Sequence, residues 1–471
     1  SCGAVRCILC CFARRTRSPA GSLRDAGGPP PGAVRRFPTR LLLLTVLFDA
    51  SAAVAQTKWP EPRPLDRLRL ANAGVRVIDS PRLTLVTDAP SSPEVVALPR
   101  VIAAALPQFA ERFGVPMSGL RGWRLRAYLM RDREKFEALG LVPAEAGPFP
   151  HGWSLGHEAW VVDQPSDYYR RHLLLHEATH SFMMTELGGC GPAWFMEGMA
   201  ELLGTHTWDA GANQALAGPS GGLTLGVMPA SRDDVPYWGR ITRVRKTTTP
   251  RSIAAVMKVD NRTPLPVEGY AWVWALAKFL DAHPRYRDRF RGLHKHVLDG
   301  DFNGRFREAF DGDAATLAAE WRLFVSTLEY GHDLEREAID FRPSRPLDAQ
   351  KVTVTVRADR GWQPTGVTVK QGARLRFAPA GRFTVGREPD GTPWPCEANG
   401  VTLRYHAGRP LGLLLAAVGP RGLTSPVAIG GGDELVTETA GPLLLRLNDS
   451  PAELEENDGE VRVTISLAPE N

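Results

Sequence analysis

The chain has 471 residues and little cysteine outside its first 11 positions. Four of its six cysteines (Cys2, Cys7, Cys10 and Cys11) lie in that opening stretch, which leaves Cys190 and Cys396. Two cysteines in separate predicted domains make no disulfide framework, and free, buried thiols are expected. No second ligand cluster accompanies the opening Cys-x-x-Cys-Cys, so it is not read as a metal site. A long apolar run is missing too. The apolar stretch 41–48 is too short to span a bilayer, so no stable membrane span is expected in the mature chain. There is no basic patch with interleaved aromatics. Residues 1–55 hold eight Arg and two Asp, while the rest carries 49 basic and 50 acidic residues. The excess positive charge is thus confined to the leader, and no nucleic-acid partner is expected. No internal repeat occurs. With 43% hydrophobic and 23% charged residues, the chain reads as globular and long enough for two or three cores.

The opening 55 residues read as a leader and signal peptide. Arg35, Arg36 and Arg40 precede the apolar stretch, and Ala53-Val54-Ala55 is a small-x-small cleavage site that leaves Gln56 first. A secreted or periplasmic location follows as an expectation.

The stretch 172–201 carries the chemistry. It contains His176-Glu177-Ala178-Thr179-His180, the HExxH pattern, among apolar residues that predict a helix with a buried side. Residues four apart share a helical face, so His176 and His180 point the same way. Two imidazoles so placed can bind one Zn²⁺ at roughly 2.0–2.1 Å each. Glu177 is then the general base for a water at the metal. Gly188-Gly189 should end this helix, and residues 193–203 read as a second one. Folded back, that helix brings Glu197 to the metal as third ligand. Glu201, one turn on, can take a hydrogen bond from a ligand histidine. His172 is read as structural, and His206 and Asp209 as outer-shell or surface groups.

HEATH followed by PAWFMEGMAELL resembles the gluzincin group of zinc metallopeptidases, in particular its secreted bacterial peptidase-MA-like families. The resemblance covers about residues 80–335. A metzincin pattern fails, since Met183 and Glu186 stand where a Gly and a His are needed. The resemblance implies a zincin-like α+β domain, a small mixed sheet followed by a helical lobe. It implies an edge strand, placed here at 158–163, that binds extended peptide by strand addition. It also implies a downstream Tyr that stabilises an oxyanion, and Tyr270 stands at the expected place. Packing in the core is the alternative role for Tyr270, as it is for Trp160.

Strands are expected at 83–87, 124–130 and 159–162, and helices at 93–113, 131–139, 268–280, 285–296, 302–310 and 314–330. The segment 60–79 reads as an extended entry. After a polar linker at 340–349, the pattern turns to period two in many short strands, which predicts an all-β sandwich at 350–471. This part resembles the jelly roll of bacterial calcium-dependent galactose-binding lectins. The resemblance rests on Trp362-Gln363-Pro364-Thr365-Gly366, Ala380-Gly381, Leu447-Asn448-Asp449-Ser450-Pro451 and Asn457-Asp458-Gly459. It implies a Ca²⁺ loop with Asp449 and Asn457, Glu456 in place of an Asn, and the carbonyls of Glu453 and Val385. Cys396 falls near the place of the sugar-contacting His. A structural accessory domain, a calcium site and a carbohydrate site all stay open.

The expected protein is a secreted zinc peptidase. Residues 56–170 form the α/β part, and 171–339 the HExxH helix and helical lobe. The alternative is a catalytically inert zinc fold acting as a surface or glycan-binding module through its sandwich.

Overall fold

The computed structural model describes residues 59–211, 221–260, 265–348 and 351–468. The expected signal peptide, Gln56 and the opening cysteines lie outside these residues. Among the described residues, no helix is long and apolar enough to cross a membrane.

The first part is α+β. Five strands form one sheet: β1 (Arg76–Asp79), β2 (Leu83–Thr87), β3 (Leu125–Met130), β4 (Gly152–Leu155) and β5 (Glu158–Val162), in the order β1-β2-β3-β5-β4. β2, β3 and β5 run parallel, with Leu83 opposite Leu125 and Arg126 opposite Glu158. β1 and β4 are antiparallel to their neighbours. The expected edge strand, 158–163, is therefore interior. β4 occupies that edge, because a tight turn folds residues 152–155 back on β5. Residues 60–79 are also more ordered than expected, with a helix Arg67–Asn72 before β1.

The two faces of the sheet follow the strand period. Leu85, Ala127, Leu129, Ala159 and Val161 face the main helical core. Val86, Tyr128, Met130, Trp153 and Trp160 face a smaller core with Leu70 and Phe136. Trp160 is core, stacked on Tyr128 at 5.2 Å and donating to the Leu141 carbonyl.

The HExxH helix spans Asp167–Glu186. Its N-cap Ser166 accepts from the Tyr169 N–H. The next helix, Ala193–Gly204, is buried throughout and packs on helix Val267–Ala282. Gly198 permits this. A Cβ there would lie 3.0 Å from the Val273 carbonyl oxygen. The expected helix 285–296 is broken, with Arg287–Gly292 followed by a 3-10 turn, Leu293–His296.

The second part is all-β. One sheet orders strands 399–406, 409–418, 441–447, 363–369 and 345–346; the other orders 393–396, 383–387, 457–467, 374–380 and 434–436. Val367, Leu414 and Leu445 of the first share a core with Phe377, Val385 and Val463 of the second. The expected linker is not a free spacer. Arg345–Pro346 adds a parallel strand to the sandwich, and Ile339 packs with Leu323, Trp362 and Leu415. A buried pair, Arg446 and Glu337 at 3.1 Å, also joins the two parts.

Candidate metal centre

His176 and His180 lie one turn apart on the HExxH helix, and Glu197 reaches them from the following helix. The His176 and His180 Nε2 atoms are 3.1 Å apart. Glu197 Oε2 lies 3.3 Å from His176 Nε2 and 3.5 Å from His180 Nε2. Ligands on a tetrahedral ion at 2.0–2.1 Å would be separated by about 3.3–3.4 Å. The three donor atoms thus face one point at a spacing that suits zinc, and their N, N, O chemistry suits it as well. All three residues are buried.

The charges agree with that fit. Glu177, Glu197 and Glu201 are buried, and among the described residues Arg240 is the Arg or Lys that pairs with one of them, Glu201. The pocket is short of positive charge. Burial alone would lower the basicity of His176, but Glu197, Glu201 and Glu177 outweigh it and push the ring up to about 10. Glu177 behaves oppositely. Burial raises its pKa against the pull of His176 and His180, which suits a group that must take up a proton.

Glu201 lies outside the first ligands. Its Oε1 is 3.5 Å from His176 Nδ1, and its Oε2 is 3.5 Å from His172 Nε2. Arg240 binds both oxygens at 2.9 Å. Although burial disfavours its charge, Arg240 and His172 hold Glu201 well below the usual carboxylate range. Among the described residues, two trios of potential metal ligands occur: His176, His180 and Glu197, and His172, His176 and Glu201. In the second, Arg240 already binds both oxygens of Glu201, so that trio does not offer an open cation site.

Two contributions were not anticipated from the sequence. Arg240 is one, reaching Glu201 from the start of a short helix, Arg240–Arg245, 39 residues away. The other is β4. A Cβ on Gly152 would lie 2.4 Å from Glu177 Oε1, so β4 lies directly against the carboxylate. Tyr270 is brought to the same place. Its ring centroid is 6.3 Å from that of His176, and Arg240 Cζ is 5.8 Å from the Tyr270 ring centre. His206 is not one of the trio and stacks on Tyr168 at 4.6 Å.

In the sandwich, Asn457 Nδ2 donates to Asp449 Oδ2 at 2.6 Å and to the Ala358 carbonyl at 3.1 Å. Val385 pairs with Asn457 across the strands. Asn457 Oδ1 is buried without a hydrogen-bond partner, while Glu456 is exposed. Burial pushes Asp449 up to about 6. Cys396 is a free thiol and points into the core. A Cβ on Gly412 would lie 2.4 Å from the Cys396 Sγ, so this side chain offers nothing to a sugar.

No protein-family model matches the chain, and no curated protein does. Among solved structures, the N-terminal domain of EclA, a PllA-like lectin, is 20% identical over 25% of this chain and 95% of that one, with a TM-score of 0.21. IMPa from Pseudomonas aeruginosa, solved in complex with an O-glycopeptide, is 13% identical over 51% of this chain, with a TM-score of 0.14. The chain spans only 25% of IMPa. At these scores, neither likeness transfers an activity.

Proposed function

We propose that the chain is a zinc-dependent peptidase. The observation that carries this reading is the convergence of His176, His180 and Glu197 donor atoms at 3.1–3.5 Å, with Glu177 alongside. Zinc held by those three residues would supply Lewis acidity toward a peptide carbonyl and lower the pKa of water. Glu177 accepts the proton from the attacking water and passes it to the leaving amine. Tyr270 donates a hydrogen bond toward the developing oxyanion. Glu201, fixed by Arg240, keeps His176 in the tautomer with Nε2 free.

β4 gives the substrate a place. Val162 N donates to the His151 carbonyl, and Gly152 lies opposite Val161. Residues 151, 153 and 155 therefore turn their backbone groups toward β5, and Gly152 and Ser154 turn theirs outward. β4 has no strand on that side among the described residues. An extended peptide pairs there, with its backbone beside Glu177. In this reading the strand that pairs with substrate is β4, in place of 158–163, the position expected from sequence.

The test is cleavage of a mixed peptide library by the metal-loaded chain, read by mass spectrometry. Cleavage that stops on chelation and returns with zinc is the expected result. No cleavage by a zinc-loaded chain would favour the inert binding module.

A second reading concerns the sandwich and rests on the unpartnered Asn457 Oδ1 beside Asp449. Oxygen ligands suit Ca²⁺, which Asp449 and Asn457 would hold with the Asn457 amide turned so that Oδ1 replaces Nδ2 beside Asp449. Calcium, but not magnesium, should raise the unfolding temperature of the wild-type chain and leave Asn457→Ala unmoved. Equal shifts in both proteins would remove the assignment.

A further inference from the structure

The helical lobe carries a concave feature on elements that contribute no side chain to the candidate metal centre. A groove of about 740 Å³ is lined by the short helix Ile253–Val256, helix Phe302–Phe310 and helix Ala314–Thr327. This size is within the usual range for small-molecule sites, about 300–1,000 Å³. Its floor is apolar for a helical reason. Phe306 and Phe310 are four apart on one helix, and Leu317 and Trp321 are four apart on another, so each helix presents one row to the groove.

Two polar atoms at the floor already have partners. Trp321 Nε1 donates to the Arg251 carbonyl at 2.7 Å. Asn303 Oδ1 accepts from Trp194 Nε1 at 2.8 Å. A peptide laid on this floor would bury amides without partners, which is costly, whereas an alkyl chain has none to bury.

The rim is cationic. Lys258 and Arg322 line the groove, are exposed, and have no acidic partner among the described residues. Arg307 on the same rim lies 3.7 Å from Asp301, and Asp311 is the one acid that lines the groove. The chain beyond residue 55 is close to neutral, so this cationic excess is local.

We infer that this groove binds a single-chain anionic amphiphile. The unbranched apolar tail lies across Phe306, Phe310 and Trp321, and the carboxylate or sulfate head lies at the rim with Lys258 and Arg322. The site is separate from the metal centre and does not depend on the peptidase reading.

The experiment is isothermal titration of the full chain with dodecanoate, decanoate and dodecyltrimethylammonium, all below their micellar concentrations. Dodecanoate should bind one per chain, roughly tenfold tighter than decanoate from its two extra methylenes, and at least tenfold tighter than the cationic amphiphile. Lys258→Glu with Arg322→Glu should weaken dodecanoate at least tenfold and reverse the preference between head groups. Ala318→Trp, a filling change at an exposed position on the groove wall, should abolish binding with the far-ultraviolet spectrum unchanged. Three results would overturn the inference: no dodecanoate binding, equal affinity for both head groups, or undiminished binding by Ala318→Trp. Sedimentation showing that a second copy of the chain closes over the groove would overturn it too.

Discussion

Glu177 is buried beside two imidazoles and a second carboxylate, and its role rests on a proton it can accept and release. Glu177→Gln keeps the shape and removes that capacity. Hydrolysis should fall about 10²–10⁴-fold while zinc content stays at the wild-type level. Unchanged turnover in this variant would sink the general-base role. Arg240 has a different task. It is the permanent cation beside Glu201, and both groups are buried. Arg240→Met leaves a buried carboxylate without that partner and should cost about 3–5 kcal/mol in urea unfolding. The convergence of His176, His180 and Glu197 was expected from sequence: helical spacing fixes His176 to His180 and Glu197 to Glu201, and the return of the second helix brings the pairs together. Arg240 was not readable. It joins the site through tertiary folding, and no local pattern in Val235-Pro236-Tyr237-Trp238-Gly239-Arg240 announces it.

Among the elements, β4 is where sequence and structure part most clearly. Gly152-Trp153-Ser154-Leu155 is four residues long and follows Pro148 and Pro150, so it shows no alternation long enough to mark a strand. β5, by contrast, is an apolar run and was seen, but its place in the sheet depends on the hairpin with β4. The consequence is testable at Gly152. A methyl group there must displace the end of the flexible Glu177 side chain, with no backbone clash. Gly152→Ala should therefore fold and bind zinc normally, yet lose at least tenfold in peptide hydrolysis, because a misplaced base is a poor base. Wild-type turnover in this variant would show that β4 does not border the working site. The period-two texture after residue 350 was a sound guide to the sandwich, since strands with one face on the core alternate. Within the polar segment 340–348, the pairing of Arg345–Pro346 with the strand 363–369 has no mark in the local sequence.

For the molecule as a whole, folding buries histidines that cannot stay neutral in acid without cost. Burial drives both His206 and His332 down to about 3. At His206 the geometry shows why. Nδ1 donates to the Gly204 carbonyl at 2.8 Å, and Nε2 accepts from Arg171 Nε at 3.2 Å, so a second proton would face a guanidinium. The folded chain resists these protons and the unfolded chain takes them up near the ordinary histidine pKa of 6.5. Their stabilising contribution is complete above about pH 6.5 and is lost as pH falls toward 3. The slope should reach about 1.4 kcal/mol per pH unit for each histidine. Urea unfolding between pH 7 and 4 should show it, and His206→Gln should lower it by about one proton. An unchanged slope in that variant would remove His206 from the acid transition.

The most direct measurement is metal content by elemental analysis of the purified chain from Gln56, wild type beside Glu197→Gln, after zinc is offered and excess removed. About one zinc per wild-type chain, lost or much weakened in Glu197→Gln, is the result expected of a three-ligand centre. No zinc in the wild-type chain, or equal tight binding in both proteins, would contradict it.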